Sequence, residues 1–199
     1  MKLYHISTGM LGVNTYFLVG ENNDAVMIDG GENYEKICAF ARENGFNIKV
    51  ELLTHAHFDH AGNASKFQKN GVKIYSSKLD AIKLENGQTL SNHFERFSPD
   101  YIFTDGEILD LFNIKIKVIA TPGHTDGSVT FMVEDMLFTG DTLFLECVGR
   151  TDFPTGDYKV LERSVRNLYG LKGDYKVYPG HEEFTTLSHE RKFNQFFRE

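Results

Sequence analysis

Three imidazoles and one carboxylate fall within six residues, His55, His57, Asp59 and His60, in the stretch Thr54-His55-Ala56-His57-Phe58-Asp59-His60-Ala61-Gly62. Nitrogen and carboxylate ligands at this density suit divalent metal ions. Alternate residues of an extended segment point the same way, so His55 and His57 can face one ion. Asp59 and His60 follow as the chain turns and can reach a second ion beside it. Histidine occupies only 8 of 199 positions, which makes a chance surface cluster a poor account of the run.

Three further ligand-type residues recur at one kind of place, just beyond an apolar strand-like run and directly after a glycine. Thr121-Pro122-Gly123 delivers His124, Phe138-Thr139-Gly140 delivers Asp141, and Tyr178-Pro179-Gly180 delivers His181. Glycine there lets the backbone turn tightly and approach closely. A single ion takes about three or four protein ligands, so these seven side chains suit two. Two-metal sites hold their ions ~3.5–4 Å apart and clamp a shared water-derived ligand, for which a bridging carboxylate is wanted. Asp141 is the candidate bridge. A mixture of nitrogen and oxygen ligands without cysteine allows Zn²⁺, Fe or Mn²⁺.

The elements that must place these residues follow from period and punctuation. Strands are expected at Lys2 to Ser7, Val13 to Val19 and Ala25 to Ile28, then a helix over Tyr34 to Asn44 with Asn33 as its N-cap and Gly45 just past its end. The apolar run Ile48 to Leu53 carries the histidine stretch. A helix from about Asn63 to Lys69, a strand Val72 to Tyr75 and a helix around Lys78 to Leu84 complete the first half. Residues 85–106 show no clean period and are read as an aromatic-bearing loop with Phe94, Phe97, Tyr101 and Phe103. Strands return at Ile108 to Leu111, Ile114 to Ile119, Ser128 to Val133 and Met136 to Phe138. A helix over Tyr158 to Tyr169 is capped by Asp157, a strand spans Tyr175 to Tyr178, and a last helix spans Ser188 to about Phe197, docking through Phe193, Phe196 and Phe197. Each half runs strands and then helices, an order best buried by two sheets face to face with helices outside. The fold class is therefore α/β (α+β), in one domain over residues 1–199.

At 22.7 kDa, with 41% hydrophobic and 25% charged residues, the composition is that of a globular domain with ample core. A net charge of −7 disfavours a phosphate backbone as partner, because nucleic-acid binding draws on Lys/Arg neutralisation. Cys38 and Cys147 form no C-x-x-C pair and read as reduced thiols, and no apolar signal core or membrane-length run is present. A cytoplasmic location and a small-molecule substrate, without nucleic acid or membrane, are expected; oligomeric state is left open. No Gly-x-Ser-x-Gly, P-loop or dinucleotide fingerprint supports serine hydrolase or nucleotide chemistry.

The sequence His-x-His-x-Asp-His, followed in order by Thr-Pro-Gly-His-Thr, Thr-Gly-Asp and Pro-Gly-His segments, resembles the metallo-β-lactamase-fold hydrolases over nearly the whole chain. Within them it is most similar to the glyoxalase II-like branch, through Gly149-Arg150-Thr151-Asp152-Phe153-Pro154 and Tyr178-Pro179-Gly180-His181 followed by Thr185-Thr186. The resemblance implies a four-layer αββα sandwich with two divalent ions, zinc first among them, at one edge. It assigns His55, His57 and His124 to the first ion, Asp59, His60 and His181 to the second, and Asp141 to both. It also implies hydrolysis of a thioester of the S-lactoylglutathione kind. The chain runs only 18 residues past His181 and shows no counterpart of the C-terminal helical extension that grips glutathione in glyoxalase II.

Catalytic roles fall to Asp141 and to Asp59, the latter a ligand that could also shuttle a proton. Arg150 is a substrate-side candidate able to hold a carboxylate by paired hydrogen bonds, or else a loop tie to Asp152. Asp29 could orient a ligand histidine from behind, or only cap its turn. His5, His93 and His189 read as ordinary polar residues. The rival reading is a mononuclear-iron persulfide dioxygenase using His55, His124 and Asp141; a lactone hydrolase on the same site is a further alternative.

Overall fold

The structure, a computed structural model, describes residues 1–91 and 93–198. Asn92, inside the aperiodic segment, and Glu199, the end of the single-domain span, lie outside the described residues. In chain order the elements are β1 (Lys2–Thr8), β2 (Val13–Val19), β3 (Asp24–Ile28), α1 (Tyr34–Glu43), β4 (Asn47–Leu52), α2 (Phe58–Ala61), α3 (Ala64–Lys69), β5 (Lys73–Ser77), α4 (Lys78–Asn86) and β6 (Tyr101–Phe103). The second half holds β7 (Ile108–Leu111), β8 (Ile114–Ala120), β9 (Val129–Val133), β10 (Met136–Gly140), β11 (Leu143–Phe144), β12 (Cys147–Val148), α5 (Tyr158–Tyr169), β13 (Lys176–Pro179), β14 (Thr185–Thr186) and α6 (Leu187–Phe193).

One sheet runs β1-β2-β3-β4-β5-β6 and the other β14-β13-β10-β9-β8-β7. Three apolar clusters define the four layers. Tyr16, Leu18, Val26, Ile28, Leu52, Ile116, Phe131 and Phe138 fill the space between the sheets. Phe17, Met27, Ile37, Phe67 and Leu84 seal the first sheet under its helices, and Leu137, Leu161, Val165 and Leu168 seal the second. The αββα fold is thus legible strand by strand. Buried β2 gives Tyr16 and Leu18 to the middle layer and Phe17 and Val19 to the helix layer, whereas β8 alternates buried Ile114, Ile116 and Val118 with exposed Lys115 and Lys117. Full burial of both faces selects a continuous apolar run; a half-covered strand keeps the polar alternation.

Strand direction explains why one edge carries the chemistry. β3, β4 and β5 are mutually parallel. β8 and β10 both run antiparallel to β9, and β13 is parallel to β10, so these three also share a direction. The carboxyl ends of β3 and β4 deliver Asp29 and the histidine stretch, while those of β8, β10 and β13 deliver His124, Asp141 and His181. The sheets are stitched together at that edge: Val129 N donates to Thr54 O at 2.9 Å, and Asn14 N to Gly180 O at 2.7 Å.

Three readings are corrected. The segment read as loop holds the end of α4, which runs to Asn86, and β6, three residues paired parallel to β5 and too short to show a period. The last helix stops at Phe193 because Asn194 leaves helical geometry, accepts from Phe196 N and Phe197 N, and anchors its amide on Cys147 O and Glu190. Of the three terminal aromatics only Phe197 docks, at 2% exposure, whereas Phe193 and Phe196 are half exposed. Cys38 and Cys147 are both free thiols.

β4 also buries a charge-bearing group on the helix side of its sheet. Glu51 is fully enclosed; its Oε1 accepts from Gly30 N at 2.8 Å and its Oε2 has no hydrogen-bond partner among the described residues. Burial raises its pKa to about 8, against the Gly30 amide, which lowers it, and with nearby Asp29 adding to the rise. A carboxyl with a raised native pKa binds a proton that the unfolded chain has already released above its ordinary value of 4.5, so stability falls as pH rises from about 4.5 to 8. Thermal unfolding of wild type and Glu51→Gln in the presence of chelator should therefore diverge in the variant's favour from pH 5 to pH 8. The relative gain should be several degrees, on the order of a few kcal/mol at most. Parallel pH profiles would show Glu51 to be ionised in the fold.

Candidate metal centre

All seven ligand-type residues named from the sequence meet at this edge, in two groups with a shared carboxylate. Nitrogens of His55, His57 and His124 converge within 4.8 Å of one another, as do donor atoms of Asp59, His60 and His181 and, spanning the two, those of His55, His60 and Asp141. His57 Nδ1 lies 3.1 Å from His55 Nε2 and 2.9 Å from His124 Nε2. His181 Nε2 lies 3.2 Å from both His60 Nε2 and Asp59 Oδ2. Asp141 stands between, with Oδ1 3.3 Å from His60 Nε2 and Oδ2 3.5 Å from His124 Nε2.

Local chain geometry explains the grouping. Extended backbone through His57, φ −68° and ψ 150°, sets His55 and His57 on one side, and the single turn of α2 then swings Asp59 and His60 to the other. The glycines before the ligands are needed for different reasons. Gly140 has φ +49°, a left-handed conformation. A side chain at Gly180 would stand 2.4 Å from Asp141 Oδ1 and 2.7 Å from the His60 ring.

The histidines are aimed from behind, as metal-binding imidazoles require. Asp29, held at φ +55°, takes Thr54 N on Oδ1 at 2.8 Å, and Thr54 Oγ1 at 2.6 Å and His60 Nδ1 at 2.8 Å on Oδ2. Because Thr54 gives its proton to Asp29, its oxygen is left to accept from His55 Nδ1 at 3.1 Å. His124 Nδ1 donates to Arg150 O at 2.8 Å and His181 Nδ1 to Leu11 O at 3.1 Å. In four of the five histidines the outer nitrogen is thus occupied and the inner one presents its lone pair to the group.

Electrostatics divides the site. Burial and the surrounding imidazoles hold His55 well below its ordinary range, and burial with His124 and His60 lowers His57 to about 3, so these rings are neutral. Burial disfavours a charged His60, but Asp141, Asp59 and Asp29 around it push its pKa well above the usual value. His181 moves up for the same kind of reason, its burial outweighed by Asp59 and Asp141. Burial alone would raise Asp141; His60, His124 and His181 bring it below the carboxylate range instead. Positive charge is therefore wanted among these carboxylates.

The donor set fits divalent cations on this structure's own evidence. His57 Nδ1 faces two imidazole nitrogens and, with one proton at most, can bond only one of them. Asp141 Oδ1 is buried without a hydrogen-bond partner among the described residues. A buried orphan acceptor costs free energy unless a cation answers it.

The centre forms the floor of a cavity of about 400 Å³ walled by Leu11, Phe58, Leu90, Phe144 and Phe153, with Arg150 and Glu182 at its sides. A larger groove of about 490 Å³ near Cys38 and Arg42 holds none of the three ligand groups. Arg150 is mostly exposed, forks onto both oxygens of Asp152 at 2.7 and 2.6 Å, and stacks its guanidinium 4.0 Å over the Phe153 ring. Both readings of Arg150 are thus represented: it ties the loop and it lines the cavity. His93 does not line this cavity, and His5 and His189 pair with Asn14 and Glu146.

Three residues that matter here escaped the sequence reading. Thr54 relays Asp29 to His55. Asp80 is buried, accepts from Oγ1 of Thr125, the neighbour of His124, at 3.4 Å, and is paired with Lys83. Asn14 braces the His181 loop from the opposite sheet. The available signal was weak: a polar residue on the inward phase of an otherwise apolar strand, or an acid in the first turn of a helix whose outer face is exposed.

The Metallo-beta-lactamase superfamily model matches residues 8–181. A hydroxyacylglutathione hydrolase, GloC, of Haemophilus influenzae is 36% identical over 194 residues, covering 92% of each chain. The B3 metallo-beta-lactamase BLEG-1 superposes with a TM-score of 0.90 at 29% identity, over 98% of this chain and 99% of its own. TTHA1623 in a di-iron-bound form gives 0.86 at 32% identity, over 98% and 100%. With the fold, the order of the ligand segments and these matches in agreement, this chain belongs to the metallo-beta-lactamase superfamily and is a metal-dependent hydrolase of that fold.

Proposed function

We propose that the protein hydrolyses thioesters of the hydroxyacylglutathione kind, with S-lactoylglutathione as the model substrate, at a site for two divalent ions. The observation that carries the reading is the complete double ligand set on the floor of an apolar-walled cavity, in a chain that matches a hydroxyacylglutathione hydrolase nearly end to end. His55, His57 and His124 would hold one ion, Asp59, His60 and His181 the other, and Asp141 both. Bound divalent ions supply Lewis acidity and activate water at neutral pH. Zinc is the first candidate, and the similarity to a di-iron protein keeps iron beside it.

The chain's own residues account for the rest. Phe144, Phe153 and Leu90 shield the acyl group from bulk water, which strengthens electrostatic interactions on the floor. Asp59, its pKa lowered because His60 and His181 outweigh its burial, remains an anion beside the reacting centre and can accept and return a proton. Arg150, with Asp152 fixing its fork, presents its remaining N–H groups to a carboxylate at the cavity side.

A one-iron dioxygenase built on His55, His124 and Asp141 would give no task to Asp59, His60 and His181, whose donor atoms converge nonetheless. Metal analysis of the purified protein with an S-lactoylglutathione assay separates the readings: near two equivalents with turnover is the expected result. One equivalent of iron, no thioester turnover and oxygen uptake with glutathione persulfide would overturn it. Asp141→Ala should lower retained metal and cut kcat by at least about a hundredfold, since it removes the carboxylate common to both groups. Unchanged metal content and turnover in that variant would refute the site assignment.

A further inference from the structure

The ligands of the second group come from both sheets. Asp59 and His60 arrive on α2 from the first sheet, whereas His181 arrives on the loop after β13 in the second. Within its own sheet that loop is tied by Gly180 N, which donates to Gly140 O at 2.8 Å. It follows the short strand β13, Glu182 sits at φ +64°, and Gly180 is bare of side chain because Asp141 and His60 crowd it. The bonds that flank His181 itself come from elsewhere.

The structure shows where. Asn14 lies on β2, in register opposite Ser7 of β1, and is 3% exposed, an amide buried on the inter-sheet face. Its Nδ2 donates to Pro179 O at 3.1 Å and Glu182 O at 3.0 Å, the carbonyls on either side of the Gly180-His181 dipeptide. Its backbone N–H donates to Gly180 O at 2.7 Å. The three bonds bracket the ligand histidine, and Leu11 O, three residues upstream, accepts from His181 Nδ1 at 3.1 Å. His5, across the β1–β2 ladder, stands with Nε2 2.9 Å from Asn14 Oδ1. An amide oxygen can only accept, so His5 is the donor, and that bond fixes which end of the Asn14 amide faces the carbonyls. His5 is itself packed against Tyr16 and Phe184, ring centroids 5.2 and 5.0 Å away.

We propose that Asn14, set by His5, is the positioning residue for His181, so that binding of the second ion, and not the first, depends on it. The inference rests on the two-ion reading above. The first-ion ligands have separate bracing: Thr54 and Asp29 behind His55, Arg150 O behind His124, and Asp80 at Thr125 beside it. None of these bonds involves Asn14. Loss of its side chain removes two donors to the His181 loop and leaves those supports in place.

The test loads the full chain with Zn²⁺, dialyses it against a graded chelator series and measures zinc retained per chain. Wild type is expected to release its zinc in two steps. In Asn14→Ala the weaker step should move to roughly 10–100-fold lower chelator activity, the usual size of an effect from a group behind a metal ligand, with the tighter step unmoved. His5→Phe keeps the ring packing on Tyr16 and Phe184 and removes only the donor. It should shift the same step in the same direction by a smaller factor, and it decides the matter if Asn14→Ala does not fold. A merely structural role for Asn14 would move both steps together and lower the melting temperature in proportion; that result, or an unmoved weaker step, would overturn the proposal. Release of a single equivalent by wild type would instead refute the two-ion reading, so the two failures are distinguishable.

Discussion

Three carboxylates, Asp29, Asp59 and Asp141, surround one fully buried imidazole, His60. Gathering like charges in a protein interior is costly unless positive charge is gathered with them. Much of the surrounding structure serves that requirement. Asp29 spends its oxygens on Thr54 and His60, the lowered Asp59 and Asp141 turn toward His60 and His181, and His55 and His57 stay neutral beside them. Divalent cations held by these residues would complete the charge balance and would supply positive charge where negative charge develops.

The two sheets meet this constraint with repeated means. Each sends parallel strands to one edge and releases its ligands in the loops beyond, where backbone is free to turn while the strands behind it are held in the core. Because neither sheet carries a whole site, the register between them matters as much as either alone. Val129 to Thr54, Asn14 to Gly180 and Tyr16 Oη to Pro179 O at 2.6 Å set it at the working edge. Burial raises the Tyr16 pKa far above its ordinary value, so this phenol stays a donor at any working pH. Chemistry and inter-sheet packing are thereby coupled, and a change at the sandwich interface reaches the ligands directly.

The cavity walls suggest how one scaffold serves different substrates. The floor is set by strand ends, whereas Leu90 and Phe153 come from connecting segments and Phe144 from the two-residue β11, outside both main sheets. Leu90 sits at φ +65°, an unusual conformation for a branched aliphatic residue, in the segment between α4 and β6 that carried no periodic signal. No helix among the described residues is long and apolar enough to cross a membrane.

The candidate ligands were legible in the sequence because their spacing is local. His55 and His57 alternate on extended chain, Asp59 and His60 follow within one turn, and His124, Asp141 and His181 each stand one residue beyond a glycine at a strand end. Strands such as β2 and β8 were legible too, since burial on two faces or one writes itself into the apolar pattern. Asn14, Thr54 and Asp80 were not, because an amide, a hydroxyl or an acid carries no sign of a partner 165, 25 or 45 residues away. The three-residue β6 and the early end of α6 at Asn194 likewise depend on a neighbouring strand and on Cys147, distant in sequence. Sequence by itself determined which residues could bind metal and where the longer strands would run. Only the tertiary structure decided which residues aim them, because hydrogen bonds between sheets are fixed by packing and not by local period.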